Sequence, residues 1–301
     1  MDFHVKQALC GGLVAVSIAS SCILVGCNSS TPASSESEQA QTINVYSRED
    51  GSGTRGAFVE LIGLEDTDSS GNKIDCTTDS ASITNSTSVM MTSVAEDDNG
   101  IGYISLGSLN DSVKALDIDG VTPSAENILA GDYTIARPFN LITNADKEMD
   151  DVTQDFVNFI LSKDGQEIIA DNGFIPIKSD SDSYTPTALT GKVSVAGSSS
   201  VYPVMEKLQE AYCSINPNIE VEVQQSDSTT GINLAIDGTC NLGMASRDLK
   251  DSEIEQGAQN ITIARDGIAV IVSPNSSLKN ITKENVRDVF NGTITSWDEL
   301  S

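Results

Sequence analysis

Histidine is almost absent from this chain of 301 residues. The sequence holds one, His4, and it lies in an N-terminal segment whose pattern predicts removal on export. A mature chain without histidine can build neither a Ser-His-Asp triad nor a metal site with imidazole ligands. Composition therefore excludes many hydrolase mechanisms.

Positive charge and aromatic side chains are also scarce. Lysine and arginine number 17 against 44 acidic residues, the formal net charge is −27, and aromatic residues make up 5% of the chain. So acidic a chain offers no basic surface for nucleic acid and few rings for stacking bases. An anionic ligand would be repelled by the protein as a whole, so its binding would depend on local donors. The length predicts about two domains.

The N-terminal segment predicts export and lipidation. Residues 1–27 combine Lys6 with an apolar run from 8 to 26, and their last four residues, Leu-Val-Gly-Cys, resemble a bacterial lipobox ending at Cys27. A transmembrane anchor is the alternative, because the run approaches spanning length. Residues 28–42 are polar and predict a flexible tether. The rest of the chain is expected outside the cell, lipid-anchored to the membrane of a Gram-positive bacterium.

Cysteine is sparse once the predicted signal and the lipidated residue are set aside. Cys76, Cys213 and Cys240 then remain, so at most one intrachain disulfide can form. A Cys213–Cys240 pair is open at this level. The chain has no Cys-x-x-Cys pair, which argues against a metal or redox site.

The chain is organised around the loop at residues 47–55, Ser-Arg-Glu-Asp-Gly-Ser-Gly-Thr-Arg. A strand pattern at 43–46 precedes it and a helix pattern at 56–62 follows. Glycines let the backbone approach a ligand, and the first helical N–H groups are free to bind an anion. Ser52 and Thr54 add hydroxyls, while Arg48 and Arg55 add forked donors. The alternative is an ordinary surface turn with a Ser/Thr helix cap.

Two more strand–loop–helix corners of this kind follow after a polar segment at 179–192. Residues 197–200 precede a predicted helix at 201–215, and residues 225–231 precede another at 232–236; a strand at 242–247 ends in polar residues. A single predicted amphipathic helix spans 152–170. Because ligands bind at the carboxyl ends of strands in α/β sheets, three such corners predict convergence on one oxyanion.

These segments resemble the substrate-binding proteins of phosphate ABC importers, the PstS family. The resemblance covers nearly all of residues 43–301, and its most specific parts are residues 47–55, 196–203 and 243–247. In the family, the Gly-Ser-Ser-Ser segment opens the mature chain and the Asp-Gly-Ser-Gly-Thr loop comes later. Here the order is reversed, which predicts a circular permutation. A truncated tandem, or half-proteins pairing between chains, would be the competing explanations.

The resemblance implies a circularly permuted α/β fold of the type II periplasmic-binding-protein kind, with two lobes, a hinge and a ligand cleft between them. Residues 43–178 would form the second lobe and the return to the first. Residues 179–192 would be a linker, and residues 193–301 the first lobe and the hinge crossing.

The same resemblance implies a set of phosphate-binding positions. They are Arg48, Asp50, Ser52, Gly53, Thr54, Ser199, Ser200, Val201, Ser228, Thr229, Ser246 and Arg247. Many family members place at position 247 an aspartate that accepts the proton of hydrogen phosphate, and Arg247 departs from that pattern. Asp50 and then Asp227 are the candidates to replace it. Asp50 could instead only hold Arg48 or Arg55 in a salt bridge.

The predicted function is capture of inorganic phosphate for delivery to the membrane permease of an ABC importer. We expect no catalysis and no binding of a cofactor, a metal or nucleic acid. We also expect the protein to be a monomer. One alternative is a receptor for sulfate or molybdate. Another is an enzyme acting on phosphorylated substrates with Asp50 as nucleophile or base. The last is an adhesion or signalling module that has lost the ligand.

Overall fold

Runs rich in β-branched residues alternate with helical periodicity along the chain, and the fold follows that alternation. A computed structural model describes residues 41–69, 73–177 and 181–300. The predicted signal segment, Cys27 and all of the predicted tether before residue 41 lie outside the described residues. Within the described ranges, no helix combines the length and the hydropathy that a bilayer crossing requires.

The strands, in chain order, are β1 (Asn44–Arg48), β2 (Glu65–Thr67), β3 (Lys73–Asp75), β4 (Ser82–Thr84), β5 (Gly100–Ser105), β6 (Lys114–Ala115), β7 (Asp117–Ile118), β8 (Ala136–Asn144), β9 (Ile175–Pro176), β10 (Gly191–Ser198), β11 (Ile219–Ser226), β12 (Leu242–Ala245), β13 (Ala258–Val272) and β14 (Asn280–Ile281). The α-helices are α1 (Gly53–Ile62), α2 (Thr87–Ala95), α3 (Ala125–Ala130), α4 (Asp151–Leu161), α5 (Lys163–Asp171), α6 (Tyr202–Ile215), α7 (Ser228–Asp237), α8 (Asp251–Glu255) and α9 (Lys283–Phe290).

One long strand, β13, joins two halves of a sheet whose order is β11-β10-β12-β8-β13-β5-β1-β4. Its first part pairs with β8, and its last residues, 268–272, pair with β5. We call the half with β4, β1 and β5 the Arg48 lobe and the half with β11, β10, β12 and β8 the Ser199 lobe. In each lobe a central strand, β1 or β10, runs parallel to both of its neighbours.

Each lobe has its own hydrophobic core. In the Arg48 lobe the rings of Phe58 and Tyr103 stack with centroids 3.9 Å apart, and Phe290 of α9 meets Phe58 edge-on at 4.9 Å. In the Ser199 lobe Tyr212 of α6 packs against Phe156 of α4 at 4.9 Å. Separate cores let each lobe keep its shape if the angle between the lobes changes.

The long helix predicted at 152–170 is two helices, α4 and α5, which is a correction to the sequence-based prediction. Ser162 separates them in an extended conformation, donating its hydroxyl to the Phe159 carbonyl at 2.6 Å and accepting from the Gly165 amide at 3.3 Å. The serine side chain therefore competes with the helical hydrogen bonds and starts a new helix, which hydrophobic periodicity alone does not reveal.

The linker predicted at 179–192 ends earlier in the structure, because residues 191 and 192 belong to β10, and its described residues 181–190 are anchored to the protein. Tyr184 donates its hydroxyl to Asp155 of α4 at 2.6 Å, and its ring meets Phe159 edge-on at 5.3 Å. Tyr212 donates to the same carboxylate at 2.6 Å. Tyr184 thus ties this segment to the core of the Ser199 lobe.

The two ends of the described chain lie side by side. Thr42 and Ser296 form an antiparallel bridge, the Ile43 amide donates to the Thr295 carbonyl at 2.8 Å, and the Trp297 amide donates to the Gln41 carbonyl at 3.0 Å. Among the described cysteines, Cys76, Cys213 and Cys240 are free thiols, so the open Cys213–Cys240 pair is not formed.

Candidate functional site

Four helix N-termini meet where the two lobes face each other. Helices α1 and α2 follow the carboxyl ends of β1 and β4 in the Arg48 lobe, and α6 and α7 follow β10 and β11 in the Ser199 lobe. The partly positive end of each helix dipole, with its unpaired amide groups, favours negative charge. The strand–loop–helix order places these ends at one edge of each sheet.

Small hydroxyl side chains from both lobes fill the space between these helix ends. We call this group the hydroxyl cluster; its members are Thr54, Thr87, Ser198, Ser199, Ser200, Ser228 and Ser246. All of its members are buried, with exposed fractions from 0% to 5%.

Hydrogen bonds within the hydroxyl cluster cross from one lobe to the other. Thr54 Oγ1 lies 2.8 Å from Ser200 Oγ, and Thr87 Oγ1 lies 3.2 Å from the same atom. Within the Ser199 lobe, Ser198 donates to Ser246 Oγ at 3.0 Å. Each hydroxyl is both a donor and an acceptor and can turn its proton either way. The cluster can therefore surround a ligand that carries several acceptor oxygens and also a proton.

Arg48 supplies the positive charge beside the hydroxyl cluster. Arg48 is 1% exposed. Its Nη2 donates to Ser199 Oγ at 2.9 Å, and its Nε and Nη2 each donate to the Glu49 carboxylate at 2.8 Å. Glu49 holds the planar guanidinium in a fixed orientation, as a two-point contact does. A pre-oriented buried arginine is suited to bind a tetrahedral oxyanion.

Ser52, Gly53 and Val201, which the sequence also predicted for the site, shape the backbone around the hydroxyl cluster. Ser52 caps α1 by accepting from the Arg55 amide at 3.3 Å. Gly53 opens that helix against the Ser199 lobe, where an added Cβ would lie 2.3 Å from Ser228 Oγ. The Val201 amide donates to the Ser198 carbonyl at 3.1 Å.

Arg247 and Thr229 lie beside the hydroxyl cluster and bond to each other. Arg247 donates to Thr229 Oγ1 at 3.2 Å and makes a forked pair with Glu253 at 2.7 and 2.8 Å. Burial acts to raise the pKa of the Glu253 carboxyl, but the hydrogen bonds from Arg247 and the Lys250 amide outweigh it, so that pKa is lowered. The backbone amide of Thr229 also donates across the lobes, to the Gly51 carbonyl at 3.1 Å.

The structure does not bring Asp50 or Asp227 into the cluster. The Asp50 side chain is 96% exposed and pairs with Arg55 at 2.8 Å; it lines an open groove of about 1010 Å³ between the lobes. Asp227 caps α7, accepting from the amide and the hydroxyl of Thr230 at 2.8 and 2.6 Å. Asp50 is a candidate from the sequence both for the proton acceptor and for a salt-bridge partner of an arginine, and its position here is that of a salt-bridge partner of Arg55.

Sequence reasoning missed several residues at this site. Thr87 and Ser198 carried a usable signal, because each lies in a hydroxyl-rich run before a helix. Glu49 is adjacent to both Arg48 and Asp50, and the sequence does not tell which of the two acids faces the arginine. Arg137 and Asp266 are 129 positions apart and come together only through the pairing of β8 with β13.

Two facing α/β lobes, crossed by a shared strand and closed over a buried polar cluster, define a two-lobed binding protein. A PBP superfamily domain matches residues 32–164 and 182–301. The chain is 50% identical over 279 residues to phosphate-binding protein PstS 2 of Streptococcus agalactiae, covering 93% of each chain. A solved structure of a phosphate ABC transporter phosphate-binding protein from Streptococcus pneumoniae matches with a TM-score of 0.69 at 43% identity, covering 86% of this chain and all of that one.

The chain belongs to the PstS family of phosphate-binding proteins within the PBP superfamily. The predicted family and the predicted two-lobed α/β fold class are thus confirmed. A further relative, the phosphate-binding protein PstS of Borreliella burgdorferi, is 36% identical over only 108 residues, which are 36% of this chain and 39% of that protein.

Proposed function

We propose that this protein captures inorganic phosphate outside the cell and delivers it to the membrane permease of an ABC importer. The observation that carries the proposal is the buried Arg48 guanidinium, held within hydrogen-bond distance of a hydroxyl cluster that both lobes build. The printed names of the relatives, phosphate-binding protein PstS 2 and phosphate ABC transporter phosphate-binding protein, support the choice of ligand.

Local geometry accounts for anion binding by so acidic a chain. The formal charge of −27 is spread over the whole sequence, and solvent and salt screen surface charges beyond about 10 Å. Arg48 and the helix ends act at contact distance in a buried site, where electrostatic interactions are stronger. Donors from both lobes would bind one phosphate, so binding would favour the closed arrangement of the lobes.

We propose that the Glu49 carboxylate accepts a hydrogen bond from the P–OH group of hydrogen phosphate. Its Oε1 and the hydroxyl of Ser199 both bond to the same nitrogen, Nη2 of Arg48, so it lies at the edge of the cluster. A carboxylate keeps further lone pairs beside those that Arg48 uses and can accept from a P–OH group. Sulfate has no proton to offer at neutral pH, so its oxygens would face the remaining lone pairs of Glu49 without a hydrogen bond between them.

Replacing Glu49 by glutamine is expected to reduce discrimination against sulfate by about tenfold, because an unmatched polar contact is worth about 1–3 kcal/mol when buried and the Glu49 side chain is 22% exposed. Parallel titrations with phosphate and sulfate measure the ratio of the two dissociation constants. Asp50→Asn is the matched control, since it neutralises the adjacent, exposed acid and should leave the ratio unchanged. An unchanged ratio in Glu49→Gln would place the proton acceptor elsewhere.

The thermal unfolding of the protein tests the proposed ligand against the alternatives. A ligand that binds only the folded state stabilises it by about 2.7 kcal/mol at 100 times its dissociation constant. We expect phosphate to raise the melting temperature at concentrations where sulfate and molybdate, at matched ionic strength, do not. An equal or larger rise with sulfate or molybdate would instead identify a receptor for that anion.

A purely binding role, without catalysis, is part of the proposal. Asp50, which would be the nucleophile or base of an enzyme, is exposed and bonded to Arg55 outside the hydroxyl cluster, and this supports the binding role. Release of phosphate from a generic phosphate monoester, abolished by Asp50→Asn, would contradict it. Lipidation at Cys27, an extracellular location at the membrane of a Gram-positive bacterium and a monomeric state remain proposals that rest on the sequence.

We also propose that the chain is circularly permuted relative to family members such as the Borreliella burgdorferi protein, whereas it matches phosphate-binding protein PstS 2 of Streptococcus agalactiae over 93% of both chains. The short match to the Borreliella burgdorferi protein supports this, because a collinear alignment can follow only one of two exchanged blocks. The pairing of Thr42 with Ser296 supports it as well, since adjacent ends make rearrangement tolerable.

A rearranged chain tests the permutation. Residues 191–300, joined by a short linker to residues 41–177, are expected to fold and to bind phosphate within about threefold of the natural chain, because each lobe keeps its core and its corners. Circular dichroism and phosphate titration measure both properties. A rearranged chain that is folded but does not bind phosphate would contradict the proposal.

A further inference from the structure

Arg137 and Asp266 form a buried ion pair where the chain crosses between the lobes. They face each other in the antiparallel register of β8 and β13. Arg137 Nη2 lies 3.1 Å from Asp266 Oδ2, and each side chain is 1% exposed. Desolvation cancels much of the attraction in a buried ion pair. Stability alone therefore does not account for two charges at this position.

The pair reaches into both lobes at the ends of strands that form the site. Arg137 Nη1 donates to the Ser246 carbonyl at 3.1 Å, and Ser246 belongs to the hydroxyl cluster of the Ser199 lobe. The Gly107 amide, which follows β5 in the Arg48 lobe, donates to Asp266 Oδ1 at 3.3 Å. Arg137 thus bonds to the backbone of a cluster residue and not to a cluster hydroxyl.

The charges of Arg137 and of Arg48, which lies beside the hydroxyl cluster, influence each other. Burial lowers the pKa of the Arg137 guanidinium, Asp266 opposes that effect, and the nearby charge of Arg48 lowers the pKa further. The pKa of Asp266 is raised by burial, which its bonds with Arg137 only partly offset. Two buried cations repel each other, and an anion between the lobes would relieve that repulsion.

We infer that Arg137 strengthens phosphate binding through its buried charge, which its bond to the Ser246 carbonyl holds beside the site, and that Asp266 moderates this effect. The inference rests on the proposed function, because it concerns the affinity of that same site. The inference predicts that replacing the two partners of this ion pair has opposite effects on phosphate affinity. A merely structural pair would give them the same effect, since removing either partner loosens the same crossing.

Phosphate titration of two neutralising variants tests this inference. Asp266→Asn leaves Arg137 without its counter-ion and is expected to bind phosphate severalfold to about tenfold more tightly than the wild type. Arg137→Gln removes the cation and leaves a buried acid, and is expected to bind about tenfold more weakly. Both are expected to melt at a lower temperature without phosphate, because each leaves an unpaired group. Weaker binding in both variants, or unchanged binding in both, would overturn the inference.

Further variants keep the test decisive if a single replacement does not fold. The double variant Arg137→Gln/Asp266→Asn restores the local charge balance, and Arg137→Lys keeps the cation, so each should bind within about threefold of the wild type. A double variant as weak as expected for Arg137→Gln would overturn the inference. Glu220→Gln is the control for net charge, because Glu220 is exposed and paired with Lys192 at 2.7 Å. If the wild type itself failed to bind phosphate, the proposed function would fail instead.

Discussion

Replacing Arg48 by alanine is expected to weaken phosphate binding by at least about a hundredfold. Hydrogen bonds to a charged partner contribute about 1.5–3 kcal/mol each, and a guanidinium can offer a phosphate two of them. The replacement also leaves Glu49 without the cation that now neutralises it at 2.8 Å. The bound anion would then face a carboxylate in place of an arginine. Isothermal titration with phosphate measures the change.

The control for Arg48→Ala is Arg287→Ala. Arg287 lies on α9 of the same lobe, its side chain is 39% exposed, and it pairs with Glu284 and Asp288 at the surface. This variant changes the net charge by the same amount and should bind phosphate as the wild type does. Undiminished affinity in Arg48→Ala would show that the phosphate site is not built on Arg48.

Replacing Gly53 by alanine is expected to weaken phosphate binding by roughly five- to a hundredfold, by keeping the lobes apart. The added Cβ would lie 2.3 Å from Ser228 Oγ and 2.8 Å from Ser246 Oγ, both in the opposite lobe. Overpacking of this kind costs about 1–3 kcal/mol. The cost falls only on the closed arrangement, so the unliganded protein should keep its melting temperature or gain slightly from alanine in the helix.

Gly56→Ala is the matched control, one turn along the same helix. Its Cβ would lie 3.6 Å from Arg247 Cδ, an ordinary contact distance. Both variants replace a glycine of the same helix by alanine, and only Gly53→Ala would overlap atoms of the facing lobe. Titration with phosphate separates the two, and equal affinities would contradict the role of Gly53 in closure.

The sequence predicted the local structure around the candidate site correctly, because that structure depends on local signals. A strand pattern, a Gly/Ser/Thr loop and a helix start are set by neighbouring residues, so the corners around Thr54, Ser200 and Ser228 could be placed without knowledge of the fold. Bringing those corners together required the rule that ligands bind at the carboxyl ends of strands. The structure brings them within hydrogen-bond distance of one another.

The parts that the sequence left undecided depend on direction and on distant pairing. Glu49 faces Arg48, whereas Asp50, one position later, faces Arg55, and only the turn after β1 determines this. Arg247 turns to Glu253 because α8 brings that acid back beside it. The Arg137–Asp266 pair depends on the register of two crossing strands, which no local pattern encodes.

The roles of Gly53 and Ser162 depend on contacts that the sequence pattern does not show. The family resemblance predicts Gly53 as a phosphate-binding position, but not that its lack of a side chain lets Ser228 approach from the other lobe. Ser162 reads as one more polar position in a helical pattern, yet its hydroxyl ends one helix and begins the next. For Ser162 a local side-chain hydrogen bond outweighs the helical periodicity, and for Gly53 a contact with the other lobe adds a role that the loop sequence does not show.

The central claim is that the wild-type protein binds one inorganic phosphate between its lobes and rejects sulfate. Isothermal titration of the wild type with each anion, at the same pH and ionic strength, tests that claim most directly. We expect one phosphate per chain, with sulfate binding at least about a hundredfold more weakly, as expected when a carboxylate within the site meets an anion without a proton. Equal affinity for the two anions, or no binding of phosphate, would contradict the account.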